Sequence, residues 1–149
     1  MRRLLLIVAV LALFPVSLFA QQPDDRAGVQ RAVLDYVEGF YEGDTIKLQR
    51  SVWPEVRKYG FGRGEGGAGY RGMAMPYPGF MAFARGVQAG RNRPPAGAPK
   101  EIRLFDVQDQ TASAGLTAWW GTDYLLLAKI DGRWMITHVL WQAPPPRRP

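Results

Sequence analysis

The sequence predicts an α+β domain in which three helices precede a curled antiparallel sheet. The helical part is indicated by apolar residues that recur every three or four positions between Val29 and Tyr41. The sheet is indicated by apolar runs in the last third of the chain that are joined by short turns. The strongest turn signal is Asp131-Gly132, because a two-residue type I′ turn needs positive φ at both central positions. Helices followed by consecutive strands are typical of the α+β class.

The first twenty residues have the features of a secretory signal peptide. Arg2-Arg3 precede the apolar run Leu4–Phe14, and Ala20 stands before a polar segment. An uncleaved anchor is the alternative, but Pro15 interrupts a stretch that is already short for a membrane span. We therefore expect an exported protein, periplasmic or secreted, with no stable membrane anchor after cleavage. The expected organisation is a signal peptide at 1–20, a polar leader at 21–28, a folded domain at 29–142 and a Pro/Arg-rich tail at 143–149.

Composition excludes several classes of site. The sequence has no cysteine, which rules out disulfides and thiolate metal sites, so the domain must be stable by packing alone. A net charge of +6 is compatible with nucleic-acid binding, but the basic residues are scattered and we expect no nucleic-acid partner. One histidine is too few for a transition-metal site, and we expect neither a metal nor a cofactor.

The elements follow one another with clear boundaries. Gly43 ends the first helix as a left-handed residue, and Asp44 caps a second helix over Thr45–Val52 that Pro54 stops. The spelling G-x-G-x-x-G over Gly64–Gly69 lacks the βαβ context of a nucleotide site, so a hairpin tip is the better interpretation. The next predicted elements are short strands near Lys58–Phe61 and Tyr70–Met73, a third helix over Phe80–Ala89 and a strand over Glu101–Val107.

The last three predicted strands define the register of the sheet. They are Thr111–Trp120, Asp123–Ile130 and Arg133–Gln142, joined by turns at Gly121-Thr122 and Asp131-Gly132. These turns place Leu125 opposite both Ala118 and His138. Because opposed residues share a face, His138 falls on the apolar inner face, where Asp123 is its diagonal neighbour. We expect this face to meet the helices and to enclose a cone with a ligand cavity.

Several segments resemble one known family. The runs Val33–Asp44, Ser51–Pro54 and Lys58–Gly60 resemble the opening of the putative lumazine-binding family, and Asp123–Ile136 resembles its closing hairpin. That family belongs to the cone-shaped nuclear transport factor 2-like (NTF2-like) superfamily, which also includes ketosteroid isomerases and SnoaL-like polyketide cyclases. The resemblance implies the cone fold, and we carry over no flavin or lumazine cofactor. Family members commonly have a histidine where this chain has Trp53, so any role of that histidine is absent here.

Three functions compete on this evidence. The leading hypothesis is a non-enzymatic small-molecule-binding or accessory domain, whose ligand is small and largely apolar with one or two polar groups for Asp123 and His138. The first alternative is an isomerase- or cyclase-like enzyme that uses Asp123 and His138 for proton transfer, with Tyr36 or His138 donating to an oxyanion. The second is a structural dimerisation module with a filled cone. The expected cavity lining is Tyr36, Phe40, Trp53, Trp120, Asp123, Trp134 and His138.

The other face of the predicted sheet is too apolar to leave in water. Large apolar patches usually mark interfaces, so we expect a homodimer that packs sheet against sheet about a two-fold axis. The residues assigned to this face are Trp119, Tyr124, Leu126, Met135, Val139 and Trp141.

Overall fold

The computed structural model describes residues 23–64, 66 and 69–145, which fold as three helices against one six-stranded sheet. The predicted α+β class is therefore confirmed, while the predicted signal peptide lies outside the described residues. The helices are α1 (Pro23–Glu42), α2 (Thr45–Ser51) and α3 (Tyr77–Gln88). The strands are β1 (Val52–Arg63), β2 (Tyr70–Ala74), β3 (Glu101–Val107), β4 (Thr111–Ala118), β5 (Gly121–Ile130) and β6 (Arg133–Gln142).

The first helix begins earlier than predicted. Residues 23–28, expected to be a polar leader, form the first turns of α1. Proline is well tolerated at the first position of a helix, where its missing N–H would have no partner. Asp25 then fastens this end to the sheet, because it accepts a hydrogen bond of 3.0 Å from Trp134 Nε1 and pairs with Lys129.

The sheet has the order β2-β1-β6-β5-β4-β3. Strands β3 to β6 form the predicted antiparallel meander. The sequence did not indicate that β1 is twelve residues long or that it pairs in parallel with β6. The helices cover one face of the sheet, called the inner face below, and the opposite side is the outer face. Fully buried side chains from both layers form the core, among them Val33, Val37, Leu48, Phe80, Leu116, Leu125, Leu127 and Ile136.

The predicted turn at Gly121-Thr122 is wrong. Ala118 pairs with Gly121, so Trp119 and Trp120 form the turn and Leu125 opposes Ala114 instead of Ala118. The new pairing differs from the predicted one by an even number of positions, so the face assignments of β4 and β5 survive. Gly121 is needed for a different reason: its φ is +134°, and a Cβ there would lie 1.9 Å from the Gln142 carbonyl oxygen.

A β-bulge in β6 overturns the predicted position of the histidine. Leu127 pairs with Ile136 as expected, but Leu126 pairs with His138, so Thr137 is an extra residue on this strand. Every later side chain of β6 therefore points to the face opposite to the predicted one. His138 is exposed on the outer face, whereas Val139 and Trp141, expected on the outer face, point inward. Met135, also expected there, is buried.

Candidate ligand-binding site

A buried carboxylate organises the interior of the cone. Asp123, on the inner face of β5, has no exposed surface. Tyr36 Oη on α1 donates a hydrogen bond to its Oδ2 atom at 2.8 Å, and Trp120 Nε1 donates to its Oδ1 atom at 2.9 Å. Both carboxylate oxygens are thus satisfied, as a buried charge requires. The close turn at Trp119 and Trp120 brings the Trp120 indole over the start of β5, where Asp123 lies.

A buried lysine completes the polar cluster. Lys58 is only 8% exposed, and its Nζ atom donates a hydrogen bond of 2.7 Å to Tyr36 Oη. The same atom lies 3.9 Å from Asp123 Oδ2. Lys58 pairs with Val139, just after the β6 bulge, so both residues share the inner face. The result is a continuous chain of hydrogen bonds from Lys58 through Tyr36 to Asp123.

Aromatic rings surround the ammonium group. Its Nζ atom lies 5.2 to 5.8 Å from five ring centroids, a range in which the negative faces of aromatic rings attract cations. Burial lowers the pKa of Lys58, and the Asp123 carboxylate opposes that change. Burial also raises the pKa of Tyr36, and Asp123 adds to the rise, so its hydroxyl keeps its proton at neutral pH. The five rings belong to Tyr36, Phe40, Phe80, Trp120 and Trp141.

A cavity of about 210 Å³ opens beside Lys58. Among its described lining residues Lys58 is the single charged one, and the rest are aromatic rings and methionines. One wall depends on Gly60: a Cβ there would lie 2.1 Å from Trp141 Cδ1 and 2.3 Å from the Trp141 carbonyl oxygen, so only glycine lets Trp141 approach β1 this closely. The two methionines, from β2 and the β2–α3 connection, supply flexible apolar surface. The lining consists of Phe40, Lys58, Met73, Met75, Phe83, Trp119, Trp120 and Trp141.

The predicted site residues separate into two groups. Tyr36, Phe40, Trp120 and Asp123 do come together, with the Phe40 and Trp120 ring centroids 5.5 Å apart. Of these four, Phe40 and Trp120 line the cavity, while Tyr36 and Asp123 lie behind Lys58.

The remaining three predicted residues lie elsewhere. Trp134 packs at the N-terminal end of α1 beside Asp25, and Trp53 lies in an irregular part of β1 outside the cavity lining. His138 is on the outer face, with Nδ1 3.1 Å from Thr137 Oγ1. The predicted pair of Asp123 and His138 therefore does not form.

Sequence reasoning missed the most informative residue of the site. Lys58 was predicted only to begin a short strand and to belong to a run that resembles a family, although β1 alternates between buried and exposed positions from Val56 to Gly62. Lys58 occupies the same face of the strand as Val56, Gly60 and Gly62. A lysine on that face was the available signal that a charged group is buried there. The other missed lining residues are Met73, Met75, Phe83, Trp119 and Trp141, the two tryptophans having been assigned to the outer face.

A broader groove of about 810 Å³ crosses the outer face. Its exposed apolar side chains include Tyr124, Leu126 and Leu140, and His138 lies among them. This groove is larger than the inner cavity, and its lining includes the basic residues Arg57 and Lys58 besides His138. Among the described residues no group of three or more metal-binding side chains is present, and no described helix has the length and apolarity to cross a membrane.

The three helices and the six-stranded sheet form an NTF2-like fold. The profile of the putative lumazine-binding family matches residues 24–142, and the chain therefore belongs to that family. The comparison with curated proteins found no match.

Three solved structures with the same fold are NTF2-like proteins of unknown function. One from Shewanella baltica has a TM-score of 0.64 and 18% identity, covering 83% of this chain and 96% of its own. One from Silicibacter pomeroyi has a TM-score of 0.63 and 18% identity, covering 81% and 97%. One from Methylobacillus flagellatus has a TM-score of 0.62 and 18% identity, covering 83% and 95%. These likenesses show the fold.

Proposed function

We propose that the protein binds a small, largely apolar molecule in the inner cavity and does not turn it over. The observation that carries this proposal is the position of Lys58, which is the single charged residue among the described residues that line an otherwise apolar cavity. Ligand sites typically combine apolar walls with a few placed polar groups in this way. The ligand supplies a hydrogen-bond acceptor to Lys58 and an apolar body to the walls.

The size and walls of the cavity favour a single ring. An apolar cavity of about 150 Å³ in another protein holds a benzene molecule. The 210 Å³ found here therefore accommodates a ring with a short substituent. Phe83, Trp119 and Trp141 present aromatic surfaces to it, and offset or edge-to-face contacts with such surfaces favour a flat partner.

The charge balance favours a neutral acceptor. An ammonium group has three donors, and among the described residues Nζ of Lys58 uses one of them on Tyr36. Asp123 already compensates the positive charge of Lys58. A carboxylate ligand would bring a second negative charge into a buried site at a large desolvation cost. A carbonyl or amide oxygen avoids that cost.

The arrangement supports binding more than proton-transfer catalysis. Asp123 is fully buried, and its two oxygens are engaged by Tyr36 and Trp120. His138, the partner assumed for an enzyme, is on the outer face. The third hypothesis, a filled cone, is disfavoured because a cavity remains beside Lys58.

Indole resonances provide a test with internal controls. The five tryptophans divide into three that line the cavity and two, Trp53 and Trp134, that do not. Titration of ¹⁵N-labelled protein with benzamide should shift the Nε1–H signals of the first group and leave those of the second unchanged. Toluene, which lacks an acceptor, should bind more weakly. Equal shifts of all five signals, or no shift, would contradict the proposal.

A matched pair of variants tests the role of the ammonium group. Lys58→Met should weaken benzamide binding toward that of toluene, because the hydrogen bond to the acceptor is lost. Lys129→Met removes a lysine that contacts Asp25 and the Trp134 ring, away from the cavity. It should bind benzamide as the wild type does. Equal weakening in the two variants would refute the assignment to Lys58.

We further propose that the protein is exported and forms a homodimer through its outer face. Export is supported by the basic, apolar and small-residue pattern of residues 1–20. Dimerisation is supported by a patch of exposed apolar side chains on the outer face, which a second copy would cover about a two-fold axis. The patch comprises Tyr59, Phe61, Phe105, Tyr124, Leu126 and Leu140, each at least 40% exposed.

A further inference from the structure

We infer that Lys58 captures aldehydes of single-ring size as a reversible imine within the inner cavity. This inference rests on the proposed function, because the same cavity and the same neutral carbonyl acceptor are used. It adds a covalent bond between Nζ and the carbonyl carbon of the ligand. The outcome is a stored adduct and not a released product, so it is consistent with a binding protein.

The first requirement is a nucleophilic atom that faces the ligand. Lys58 is one of the residues that line the cavity, and among the described residues its Nζ atom makes one hydrogen bond, to Tyr36. A carbonyl oxygen that accepts from this ammonium group has its carbon close to the same nitrogen. The walls around the cavity are apolar, and an imine held against them is hydrolysed more slowly than one in bulk water.

The second requirement is removal of a proton, since only the neutral amine attacks a carbonyl. Tyr36 Oη accepts from Lys58 at 2.7 Å and donates to Asp123 Oδ2 at 2.8 Å. One proton moves from Lys58 to Tyr36 as another moves from Tyr36 to Asp123. The relay leaves a neutral amine, a neutral carboxylic acid and an unchanged phenol. The pair is charged at rest, and burial, which lowers the pKa of Lys58, reduces the cost of reaching the neutral amine.

The reaction then balances without a further reagent. The amine lone pair forms a C–N bond as the carbonyl π bond breaks, and a proton from nitrogen passes to oxygen to give a carbinolamine. The C–O bond breaks as the nitrogen lone pair forms the C=N bond. The proton held by Asp123 returns through Tyr36 to the departing hydroxyl, which leaves as water. The products are a protonated imine on Lys58, a carboxylate on Asp123 and one water molecule.

The other lysines lack these features. Lys47 Nζ donates hydrogen bonds to a Glu38 oxygen at 2.7 Å and to a Glu42 oxygen at 2.6 Å, and these bonds raise its pKa. Lys100 lies 3.5 Å from Glu38, and Lys129 pairs with Asp25. Each of these three amines thus faces a carboxylate, and none of them is among the described residues that line the inner cavity. The chain thus carries its own matched controls.

Reductive trapping tests the inference on the unmodified protein. The protein is incubated at pH 7 with benzaldehyde and sodium cyanoborohydride, a hydride donor that reduces the imine to a stable secondary amine. Intact mass should show addition of one benzyl group, and peptide mapping should place it on Lys58. Labelling at Lys58 should be faster than at any other lysine, because Lys58 lines the cavity that holds the aldehyde and burial lowers its pKa. Because mapping uses the wild type, the result does not depend on a variant folding.

The outcomes separate this inference from the proposed function. Comparable labelling of Lys47, Lys100 and Lys129, or no labelling of Lys58 while benzamide still shifts the cavity indoles, would overturn the inference and leave the binding proposal standing. No labelling together with no benzamide response would overturn both.

Discussion

Replacing Asp123 by asparagine tests the buried polar cluster most sharply. The substitution preserves the shape of the side chain but removes the negative charge 3.9 Å from Lys58 Nζ. Removing one partner of a buried pair typically costs about 3–5 kcal/mol, because the other charge is left without compensation. Lys58 can avoid a buried, uncompensated charge by losing its proton. The free energy of that deprotonation is therefore an upper limit on the stability lost through the uncompensated charge.

The limit follows from the pKa of lysine in the unfolded chain, whose ordinary value is 10.5. Each unit between that value and the pH of the measurement costs about 1.4 kcal/mol of unfolding free energy. Neutralising Lys58 therefore costs about 5 kcal/mol at pH 7 and about 0.7 kcal/mol at pH 10. We expect Asp123→Asn to lower the free energy of unfolding by about 3–5 kcal/mol at pH 7 and by about 1–2 kcal/mol at pH 10. The loss that remains at pH 10 beyond the cost of neutralising Lys58 reflects weaker hydrogen bonds with Tyr36 and Trp120.

Urea denaturation at the two pH values measures this difference. The matched control is Asp25→Asn, because Asp25 also contacts a lysine and an indole N–H but pairs with a lysine that is partly exposed. That variant should lose less stability, with little change between pH 7 and pH 10. The double variant Lys58→Met/Asp123→Asn should be more stable than Asp123→Asn at pH 7. The reasoning is refuted if the loss for Asp123→Asn is the same at both pH values or no larger than that for Asp25→Asn.

Three further predictions concern the cavity, the charges and the outer face. Gly60→Ala should displace the Trp141 indole into the cavity, so benzamide affinity measured by calorimetry should fall at least about tenfold; unchanged affinity would contradict the assigned wall. Burial alone would raise the pKa of Asp35, but hydrogen bonds from Arg50 and Arg31 outweigh the effect of burial, and the pKa is lowered. The wild type should therefore be more stable than Asp35→Asn at neutral pH, and this advantage should disappear as the pH falls below 3.8. An advantage that grows on acidification would show the opposite sign. Leu126→Arg should convert a dimer into a folded monomer by light scattering, and a wild type that is already monomeric would refute the outer-face interface.

Local sequence patterns predicted much of the inner surface of the domain correctly. The spacing from Val29 to Tyr41 predicted α1, because one face of a helix must be apolar to pack on a sheet. Asp131 and Gly132 fixed the β5–β6 hairpin, since both adopt positive φ in the structure. These signals depend on residues close together in sequence, and they placed Tyr36, Phe40 and Asp123 correctly in the interior.

The features that failed depend on contacts between distant segments. Nothing in the sequence around Thr137 marks a bulge, because β6 is shaped by β1 on its other side, where the pairing jumps from Val52–Ile136 to Arg57–His138. That irregularity also removes Trp53 from the cavity. Lys58 was overlooked because a lysine is rarely buried unless a partner compensates its charge, and its partners lie on α1 and β5. Its role becomes visible only once the three segments are brought together.

A crystal structure of the protein with bound benzamide is the most direct measurement of the central claim. We expect the amide oxygen within hydrogen-bond distance of Lys58 Nζ, at about 2.7–3.2 Å. The ring should lie between Phe83 and the indoles of Trp119 and Trp141. Benzamide in the outer groove against Tyr124 and Leu126, with the inner cavity closed, would contradict it.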